Sequence, residues 1–249
     1  MRLMDKVAII TGAAGGMGKR TVERFLEEGG FVAAVDLSSN ALETLGEDTR
    51  LLKIQADITK EDDVTCLVES VVRHYGRVDT LVNVAGVAQA ATPIEDVTVE
   101  MWDRLLSVNT KALFLTSKAV VPTMKAQGKG AIINIASISA VRPRPGLSAY
   151  ITSKGAALAF TQALAIELAT HNIRVNAINP GPADTAMLAQ FVAKDVDVEE
   201  AKETLFKKSV PLGELIHPND IANAIVYLAS EEASKVTGAI FNIDGGRGL

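Results

Sequence analysis

Residues 7–18 read VAIITGAAGGMG, an apolar run that leads directly into a glycine-rich turn, and a helical pattern follows from Gly16. Gly12 permits a tight turn, while Gly16 and Gly18 let the backbone approach a bound group closely. The helix amino terminus offers free N–H groups and a positive dipole end to phosphates. The spacing is G-x-x-x-G-x-G rather than G-x-G-x-x-G, and glycines also serve ordinary tight junctions. The stretch predicts a strand–turn–helix unit that can hold a pyrophosphate.

The rest of the chain repeats this alternation of short apolar runs and longer helical patterns. The predicted strands are residues 7–11, 31–35, 51–55, 80–84, 131–136, 173–178 and 239–243. The predicted helices are 16–28, 60–75, 99–127, 148–170 and 218–230, the second capped by Thr59. Several runs are apolar throughout, as in strands buried on both faces of a parallel sheet. The pattern predicts an α/β fold: a single-domain Rossmann-type doubly wound sheet over residues 1–249, with seven mostly parallel strands flanked by helices on both faces.

One polar, helix-prone segment, residues 183–208, breaks the alternation. It follows a predicted strand and is too long for a simple connection. A long insertion at the carboxyl edge of a sheet is typical of a substrate lid, and a decorative pair of surface helices is the alternative. Met187 and Leu188 are the predicted substrate contacts of this lid, although they could instead pack it onto the body.

Composition narrows the classes of function. The 249 residues include 48% hydrophobic residues, carry a net charge of −5 and contain one cysteine, Cys66. The charge argues against nucleic-acid binding, and the longest apolar runs fall short of the roughly 20 residues of a membrane span. A single cysteine excludes an intramolecular disulfide and fits a reducing compartment, so a cytoplasmic location is predicted. The three histidines are scattered, and no metal site is predicted.

An acidic residue ends the second predicted strand. Asp36 lies 18 residues beyond Gly18, near the position where a carboxylate would accept hydrogen bonds from an adenosine ribose. A 2′-phosphate there would meet like charge, and residues 37–39 supply no basic side chain. Lys19 and Arg20 lie within the preceding helix. The sequence therefore favours NAD(H) over NADP(H) as cofactor.

Tyr150 and Lys154 lie four residues apart, which places both on one face of a helix. A free tyrosine has a pKa of about 10 and is a poor base at neutral pH. A neighbouring ammonium, together with a positively charged nicotinamide, would lower that pKa and let the phenol exchange the proton that accompanies hydride transfer. A lone Tyr-x-x-x-Lys pair is most often surface decoration, so its context decides its meaning.

That context resembles the classical short-chain dehydrogenase/reductase family over nearly the whole chain. The resemblance rests on motifs that occur in order: Thr11, Gly12, Gly16 and Gly18; Asp57-Ile58; Asn83-Val84-Ala85-Gly86; Asn109; Ser137; Tyr150 and Lys154; Asn179-Pro180-Gly181 with Thr185; and Asp244-Gly245-Gly246. Val84 stands where the family has a second asparagine, which puts one structural hydrogen bond in doubt.

The resemblance implies roles for these residues. Asn109, Ser137, Tyr150 and Lys154 form the expected catalytic set, in which Ser137 orients the substrate oxygen, Lys154 binds the nicotinamide ribose and Asn109 holds a water of a proton relay. The expected cofactor-binding residues are Gly12, Gly16, Met17, Gly18, Asp36, Asp57, Ile58, Asn83, Ala85, Gly86, Tyr150, Lys154, Pro180, Gly181 and Thr185. The family usually forms tetramers through two long helices and the carboxyl-terminal strand, so a homotetramer is expected.

Three functions remain open at this point. The favoured one is an NAD(H)-dependent oxidoreductase that interconverts a small secondary alcohol and a ketone. The second is an NADPH-dependent 3-oxoacyl-carrier-protein reductase, against which Asp36 and the absence of a basic residue at Ala14 or Gly15 count. The third is a non-catalytic dinucleotide-binding sensor or scaffold, which would be expected to lack part of the catalytic set. The family's divergent enoyl reductases use a wider Tyr–Lys spacing.

The substrate is the least determined feature of the sequence. Residues 141–146 read VRPRPG and lie between Ser137 and Tyr150, so they are expected to border the pocket. Arg142 or Arg144 could recognise an anionic substrate group, because the guanidinium fork matches carboxylate and phosphate. The alternative is a solvated or subunit-contacting loop.

Overall fold

A computed structural model of the protein describes residues 1–192 and 197–249, and seven strands form one sheet within it. The strands are β1 Val7–Thr11, β2 Phe31–Asp36, β3 Leu51–Gln55, β4 Thr80–Asn83, β5 Gly130–Ile135, β6 Ile173–Pro180 and β7 Ile240–Ile243. Their order is β3-β2-β1-β4-β5-β6-β7, and every neighbouring pair is parallel. The predicted doubly wound sheet is confirmed. The order reverses beside β1, which opens a crevice at the carboxyl ends of β1 and β4.

Helices cover both faces of the sheet. They are α1 Gly16–Glu27, α2 Ser39–Leu42, α3 Glu61–Tyr75, α4 Val99–Leu106, α5 Ala112–Gln127, α6 Ser148–Leu168, α7 Val198–Ala201 and α8 Pro218–Ala229. Side chains alternate along β1: Ala8 and Ile10 join the core beneath α1 and α8, and Val7 and Ile9 join the core beneath α3, α5 and α6. All five residues of β1 are buried, which explains the uninterrupted apolar run in the sequence.

Most predicted boundaries lie within two residues of the observed ones, and one predicted helix differs in kind. Residues 99–127 form α4 and α5 joined by a π-helical turn, Ser107–Lys111, rather than one α-helix. Asn109 lies inside this turn and is fully buried. Such turns are common at functional sites because the extra residue redirects a side chain. Hydrophobic periodicity does not reveal the inserted residue.

The predicted cap of α3 is wrong. The Thr59 hydroxyl donates to Asp57 Oδ1 at 2.6 Å, and the residue before the helix is Lys60, which makes no side-chain cap. Instead of a side-chain cap, three acidic residues in the first turn interact favourably with the positive end of the helix dipole: Glu61, Asp62 and Asp63. The helix therefore begins one residue later than predicted, with Lys60 rather than Thr59 before it. The Thr59 hydroxyl instead shapes the loop after β3.

The predicted lid, residues 183–208, forms short helical segments. Residues 193–196 of it lie outside the described residues. The described part includes α7 and a small apolar cluster of Leu188, Val192, Ala201 and Phe206. Ala183 pairs with Ile216 through an isolated parallel bridge, so the segment begins against the body. Its role as a lid stays a prediction.

Neither a helix that could span a membrane nor a metal-binding group of side chains occurs in the part of the chain that the structure describes. Among residues 1–192 and 197–249, no helix has both the length and the hydropathy that crossing a membrane requires. In the same part of the chain, no three His, Cys, Asp or Glu side chains are grouped so that they could hold a metal ion.

Candidate active site

A groove runs along the carboxyl ends of β1, β2 and β4, and the glycine-rich turn forms its floor. Gly12 has a φ of 64°, and a β-carbon there would lie 2.7 Å from the backbone of Ala85. A β-carbon at Gly18 would lie 2.0 Å from the Gly12 carbonyl oxygen. Gly15, the residue before α1, has no side chain to satisfy the first N–H groups of that helix. The turn therefore fits a pyrophosphate: it is a backbone cradle that side chains would fill, ending at a helix amino terminus.

Most of the predicted cofactor-binding residues line this groove. The ones found there are Gly12, Gly16, Met17, Gly18, Asp36, Asp57, Ile58, Ala85, Gly86 and Thr185. The sequence analysis missed several others that also line it: Leu37, Val87, Arg104, Val108 and Gln190. They come from loops and a helix flank that carry no motif, so only their position in space identifies them.

Asp36 lies at the end of β2, beside the glycine-rich turn. Its Oδ2 accepts the Ala14 N–H at 3.1 Å and its Oδ1 accepts the Ser38 N–H at 3.2 Å. The two nearby basic side chains are held elsewhere. Lys19 donates to the Thr44 carbonyl oxygen at 3.0 Å, and Arg20 is bound by Asn219, Glu23 and Glu27. The carboxylate thus faces the groove without either cation at its side.

Asp57 lies across the groove and is organised by its own loop. Its Oδ1 accepts the Thr59 hydroxyl at 2.6 Å and the Thr59 N–H at 3.0 Å, and Lys60 approaches at 3.6 Å. The hydrogen bond from the Thr59 hydroxyl is the main reason that the pKa of Asp57 lies below its ordinary value. The carboxylate is therefore charged and fixed beside Ile58 at neutral pH.

Asn83 is an exception among the predicted cofactor residues. Its Nδ2 donates to Asn134 Oδ1 at 2.9 Å, and its Oδ1 accepts the Thr116 hydroxyl at 2.9 Å. Asn134 in turn donates to Thr161 at 2.9 Å. The side chain is 1% exposed and does not line the groove. The side chain ties β4 to β5 and α5, and a cofactor contact of Asn83 stays a prediction.

A second pocket joins the groove, and the predicted serine and tyrosine lie together in its wall. Ser137 follows β5, and Tyr150 lies in the first turn of α6. Ser137 and Tyr150 both line this pocket, and Ser137 Oγ accepts the Ser139 N–H at 3.1 Å. The Tyr150 ring is 5% exposed and meets Phe191 edge-on, with ring centroids 5.0 Å apart. The arrangement holds the phenol at one place in the pocket.

Burial raises the pKa of Tyr150, and the hydrogen bond from Ser137 and the positive charge of Arg144 oppose that rise. The sequence analysis expected Lys154 to lower the pKa of this phenol. In the protein alone the direction is upward, and the charge that acts on the phenol is that of Arg144. The difference arises because the sequence shows spacing along a helix but not burial.

Lys154 lies one helical turn after Tyr150 and is 5% exposed. Its Nζ donates to the Ile135 carbonyl oxygen at 2.8 Å, which fixes the ammonium at the carboxyl end of β5. Burial lowers the pKa of Lys154 to about 8. A β-carbon at Gly86 would come within 3.3 Å of Nζ, so the loop after β4 passes directly over the ammonium. Lys154 thus lies beside Gly86, which lines the groove.

Several known proteins are similar to this chain over nearly its whole length. A family model described as Enoyl-(Acyl carrier protein) reductase matches residues 12–247. A 3-oxoacyl-[acyl-carrier-protein] reductase of Thermotoga maritima is 39% identical, over 99% of both chains. An NAD-dependent glycerol dehydrogenase of Listeria innocua is 36% identical, over 98% of this chain and 94% of the relative.

A crystal structure of the 3-ketoacyl-(acyl-carrier-protein) reductase of Brucella melitensis, complexed with NADH, superimposes with a TM-score of 0.93 at 37% identity, over 99% of both chains. The chain belongs to the classical short-chain dehydrogenase/reductase family. Short-chain dehydrogenases bind a nicotinamide dinucleotide, and this chain is an oxidoreductase of the CH–OH group.

Asn109, which matches the family's helix asparagine, braces two parts of the site. Its Oδ1 accepts the Val87 N–H at 2.8 Å, and its Nδ2 donates to the Val87 carbonyl oxygen and to Ser153 Oγ, both at 3.0 Å. The side-chain amide is fully used by the loop after β4 and by α6. The side chain therefore positions the loop over Lys154, and the holding of a relay water stays a prediction for its backbone.

Gln89 is a site residue that the sequence analysis missed. Its Oε1 accepts the Tyr150 N–H at 2.9 Å, and the side chain is 1% exposed. Leu147, the residue before α6, makes no side-chain cap. Gln89 thus supplies from the loop after β4 the hydrogen bond that a capping residue would normally give. No local pattern marks this glutamine, because its partner lies 61 positions away.

Replacing Gln89 by Met keeps the side-chain volume and removes the acceptor. We expect the free energy of unfolding to fall by about 1–2 kcal/mol and kcat to fall by roughly tenfold, because the first turn of α6 carries Tyr150. Gln89→Glu keeps an acceptor and should recover kcat. Urea unfolding and steady-state kinetics measure both effects.

Gln127 provides the control for that substitution. It exchanges two hydrogen bonds with the backbone of Val78 at the opposite edge of the sheet, at 2.8 and 3.0 Å. Gln127→Met should lower stability similarly and leave kcat unchanged. If Gln89→Met lost stability and kept full kcat, Gln89 would be structural only.

Most of the remaining predicted residues line the pocket, and Arg142 does not. The lining includes Ser137, Arg144, Tyr150, Pro180, Gly181, Thr185, Met187, Leu188 and the lid residue Phe191, together with Phe206 and Arg247, which were not predicted. The Arg142 guanidinium donates to the backbone oxygens of Arg247 and Leu249, so the predicted substrate contact of Arg142 is wrong. Loop sequence alone could not show which of the two neighbouring arginines turns inward.

Proposed function

We propose that the chain is an NAD(H)-dependent oxidoreductase that interconverts a small secondary alcohol and the corresponding ketone. The observation that carries this proposal is that Ser137 and a buried Tyr150 line one pocket, with Lys154 one helical turn after Tyr150. Met17, Thr185 and Met187 line both cavities, which supports a continuous path between them.

The roles of the residues follow from this arrangement. The bound nicotinamide dinucleotide would supply or accept the hydride. In the direction of oxidation, Tyr150 would act as the phenolate, which the positive charges of Lys154 and of an oxidised nicotinamide would favour. It would take the O–H proton as the carbinol C–H bond gives up its hydride, and in reduction the phenol would return that proton to the carbonyl oxygen. Ser137 would hold the substrate oxygen beside Tyr150, and Lys154 would bind the nicotinamide ribose. Pro180, Gly181 and Thr185 would border the nicotinamide.

Asp36 supports NAD(H) as the cofactor. Its carboxylate lies at the groove, and both nearby basic side chains are held by other partners. A 2′-phosphate there would meet an uncompensated negative charge, and like-charge juxtaposition costs several kcal/mol. The NADH complex of the Brucella relative and the NAD-dependence in the name of the Listeria relative support the same choice.

Replacing Asp36 by Asn is expected to raise the ratio of kcat/KM with NADPH to kcat/KM with NADH by at least about tenfold, which corresponds to about 1.4 kcal/mol. The reason is removal of the repulsion between the carboxylate and the 2′-phosphate. Kinetics with both cofactors measure the ratio. Asp62→Asn, an exposed carboxylate of α3, changes the net charge equally and should leave the ratio unchanged. A wild-type protein that bound NADPH more tightly than NADH would overturn the assignment.

The second candidate is an NADPH-dependent 3-oxoacyl-carrier-protein reductase. It is favoured by the name and the 39% identity of the Thermotoga relative, and Asp36 counts against it. Assays of acetoacetyl-carrier protein with NADPH and with NADH separate the two. An enoyl reductase, as the family model is described, fits less well because the Tyr–Lys spacing here is four residues. A non-catalytic sensor is disfavoured because the catalytic set is complete.

A screen of secondary alcohols with NAD⁺ and of ketones with NADH tests the proposed reaction. Turnover of at least one pair is the expected result. Binding of NADH without turnover of any alcohol or ketone would favour the non-catalytic sensor or scaffold.

We also propose the chain's organisation. Residues 1–249 would form one catalytic domain in which segment 183–208 acts as a substrate lid, supported by Thr185, Met187 and Leu188 in the pocket wall. Copies would associate as a homotetramer, supported by the exposed Phe114 of α5 and Ile166 of α6, which are 47% and 81% exposed. Light scattering tests the assembly. A cytoplasmic location fits the single free cysteine, and cell fractionation tests it.

A further inference from the structure

Two arginines from distant parts of the chain share the pocket that holds Ser137 and Tyr150. Arg144 lies in the loop before α6, and Arg247 follows β7. The walls between them are largely apolar and include Leu188, Phe191 and Phe206. The sequence left the choice between Arg142 and Arg144 open, and Arg247 reaches the pocket only through the fold.

Arg144 is held by aromatic rings. Its Cζ lies 5.3 Å from the centroid of the Phe206 ring and 5.8 Å from that of Phe191. Its one protein hydrogen bond in the described structure is a long one, 3.4 Å from Nη2 to the Phe191 carbonyl oxygen. The same Phe191 ring meets the Tyr150 ring at 5.0 Å. Arg144 and Tyr150 thus both contact the Phe191 ring.

Arg247 is presented by a turn that Asp244 stabilises. Asp244 Oδ1 accepts the Gly246 N–H at 3.0 Å, and Oδ2 accepts the Gly248 N–H at 2.7 Å. This carboxylate supports the turn and makes no ion pair with Arg247. Arg142 donates to the Arg247 carbonyl oxygen and so fixes the segment from the other side.

In the described part of the chain, no ion pair compensates the positive charge of these two arginines. Among residues 1–192 and 197–249, no carboxylate lies within 4.0 Å of either guanidinium in the pocket. Burial lowers the pKa of Arg144, and the charge of Arg247 lowers it further. Burial and the charge of Arg142 lower the pKa of Arg247, and the charge of Asp244 opposes them from a longer distance. Arginine stays charged in proteins, so the repulsion is relieved by an anion rather than by loss of a proton.

We propose that Arg144 and Arg247 form an anion subsite, and that the substrate is a hydroxy or keto compound whose other end carries a carboxylate or a similar oxyanion. The inference rests on the proposed function for the reaction at Tyr150. Arg144 would bind the oxyanion between the rings of Phe191 and Phe206, and Arg247 would add a second charge-assisted contact. The apolar wall favours a hydrocarbon segment between the oxyanion and the reacting carbon.

The test uses ketones in matched charged and neutral forms. The pairs are 4-oxopentanoate with its methyl ester and 4-acetylbenzoate with its methyl ester, and 4-acetylbenzenesulfonate distinguishes sulfonate from carboxylate. With NADH, we expect kcat/KM for at least one acid to exceed that of its ester by at least about tenfold, as one charge-assisted hydrogen bond provides.

Arg144→Gln and Arg247→Gln should each reduce that preference about tenfold or more. The readout is the ratio of kcat/KM for acid and ester, in which an effect of Arg144 on the Tyr150 phenol cancels, and binding of NADH should stay unchanged in both variants. Arg73→Gln is the control: it removes the same charge from an exposed position of α3 and should leave the preference as it is.

Binding of benzoate and methyl benzoate to the NADH-loaded protein, followed by calorimetry, separates this inference from the proposed function. If benzoate binds in an Arg144-dependent way while no ketone is reduced, the anion subsite stands and the proposed reaction fails. If acids and esters are reduced equally, and Arg144→Gln affects both equally, the subsite is refuted and the reaction stands. If benzoate binding does not depend on either arginine, the subsite is likewise refuted.

Discussion

Replacing Tyr150 by Phe is expected to lower kcat by about two to four orders of magnitude, the range that a positioned general acid or base contributes. The substitution removes only the hydroxyl oxygen. The ring would still pack edge-on against Phe191, and the backbone N–H of residue 150 would still donate to Gln89. The loss should therefore appear in kcat, while the dissociation constant of NADH changes little. Steady-state kinetics and NADH fluorescence measure the two quantities.

Tyr227→Phe is the matched control for this substitution. Tyr227 lies in α8 and its ring packs near Phe241, with centroids 6.3 Å apart. Its hydroxyl makes no hydrogen bond with a described residue. The control should leave kcat unchanged. If Tyr150→Phe retained full turnover of every accepted substrate, the proton-transfer role would be wrong, and the family assignment would stand without it.

Replacing Gly18 by Ala is expected to have the second large effect, on cofactor binding. The new β-carbon would lie 2.0 Å from the Gly12 carbonyl oxygen and 2.9 Å from the Ala13 Cα atom, so the backbone of the turn would have to move. Forcing atoms into a close-packed site costs about 1–3 kcal/mol. We expect the dissociation constant of NADH to rise by at least about tenfold, which is about 1.4 kcal/mol, and the melting temperature to fall.

Gly15→Ala tests whether the loss at Gly18 is specific. Gly15 lies in the same turn, has a φ of −75°, and its β-carbon would meet only the Gly12 oxygen, at 3.4 Å. That separation is ordinary van der Waals contact, so NADH binding should change less than threefold, within the context-dependence of such contacts. Equal losses in both variants would show that the turn tolerates no methyl group anywhere, against the geometric argument.

The fold was largely predictable from the sequence. The apolar runs of β1 and β4 are uninterrupted because both faces of these strands are covered by helices. The glycine-rich turn was recognisable because no side chain fits at Gly12 or Gly18. Motif spacing predicted Ser137, Tyr150 and Lys154 as site residues. In the structure, Ser137 and Tyr150 line one pocket, and Lys154 lies one helical turn after Tyr150.

The predictions that failed were inferred from local pattern. The helix over 99–127 contains an inserted π-helical turn, and the Thr59 hydroxyl bonds Asp57 instead of capping α3. Distant partners decide other side chains: Asn83 is bound by Asn134 and Thr116, which lie 51 and 33 positions away.

The sequence by itself determined the parallel sheet, the backbone cradle at residues 12–18 and the Tyr150–Lys154 spacing, because each depends on neighbours within a few residues. Only the tertiary structure decided which polar groups are buried and what they face. It raised rather than lowered the pKa of Tyr150, turned Arg142 away and brought Arg247 inward. Burial and electrostatic interaction depend on separation in space, and separation along the chain does not determine it.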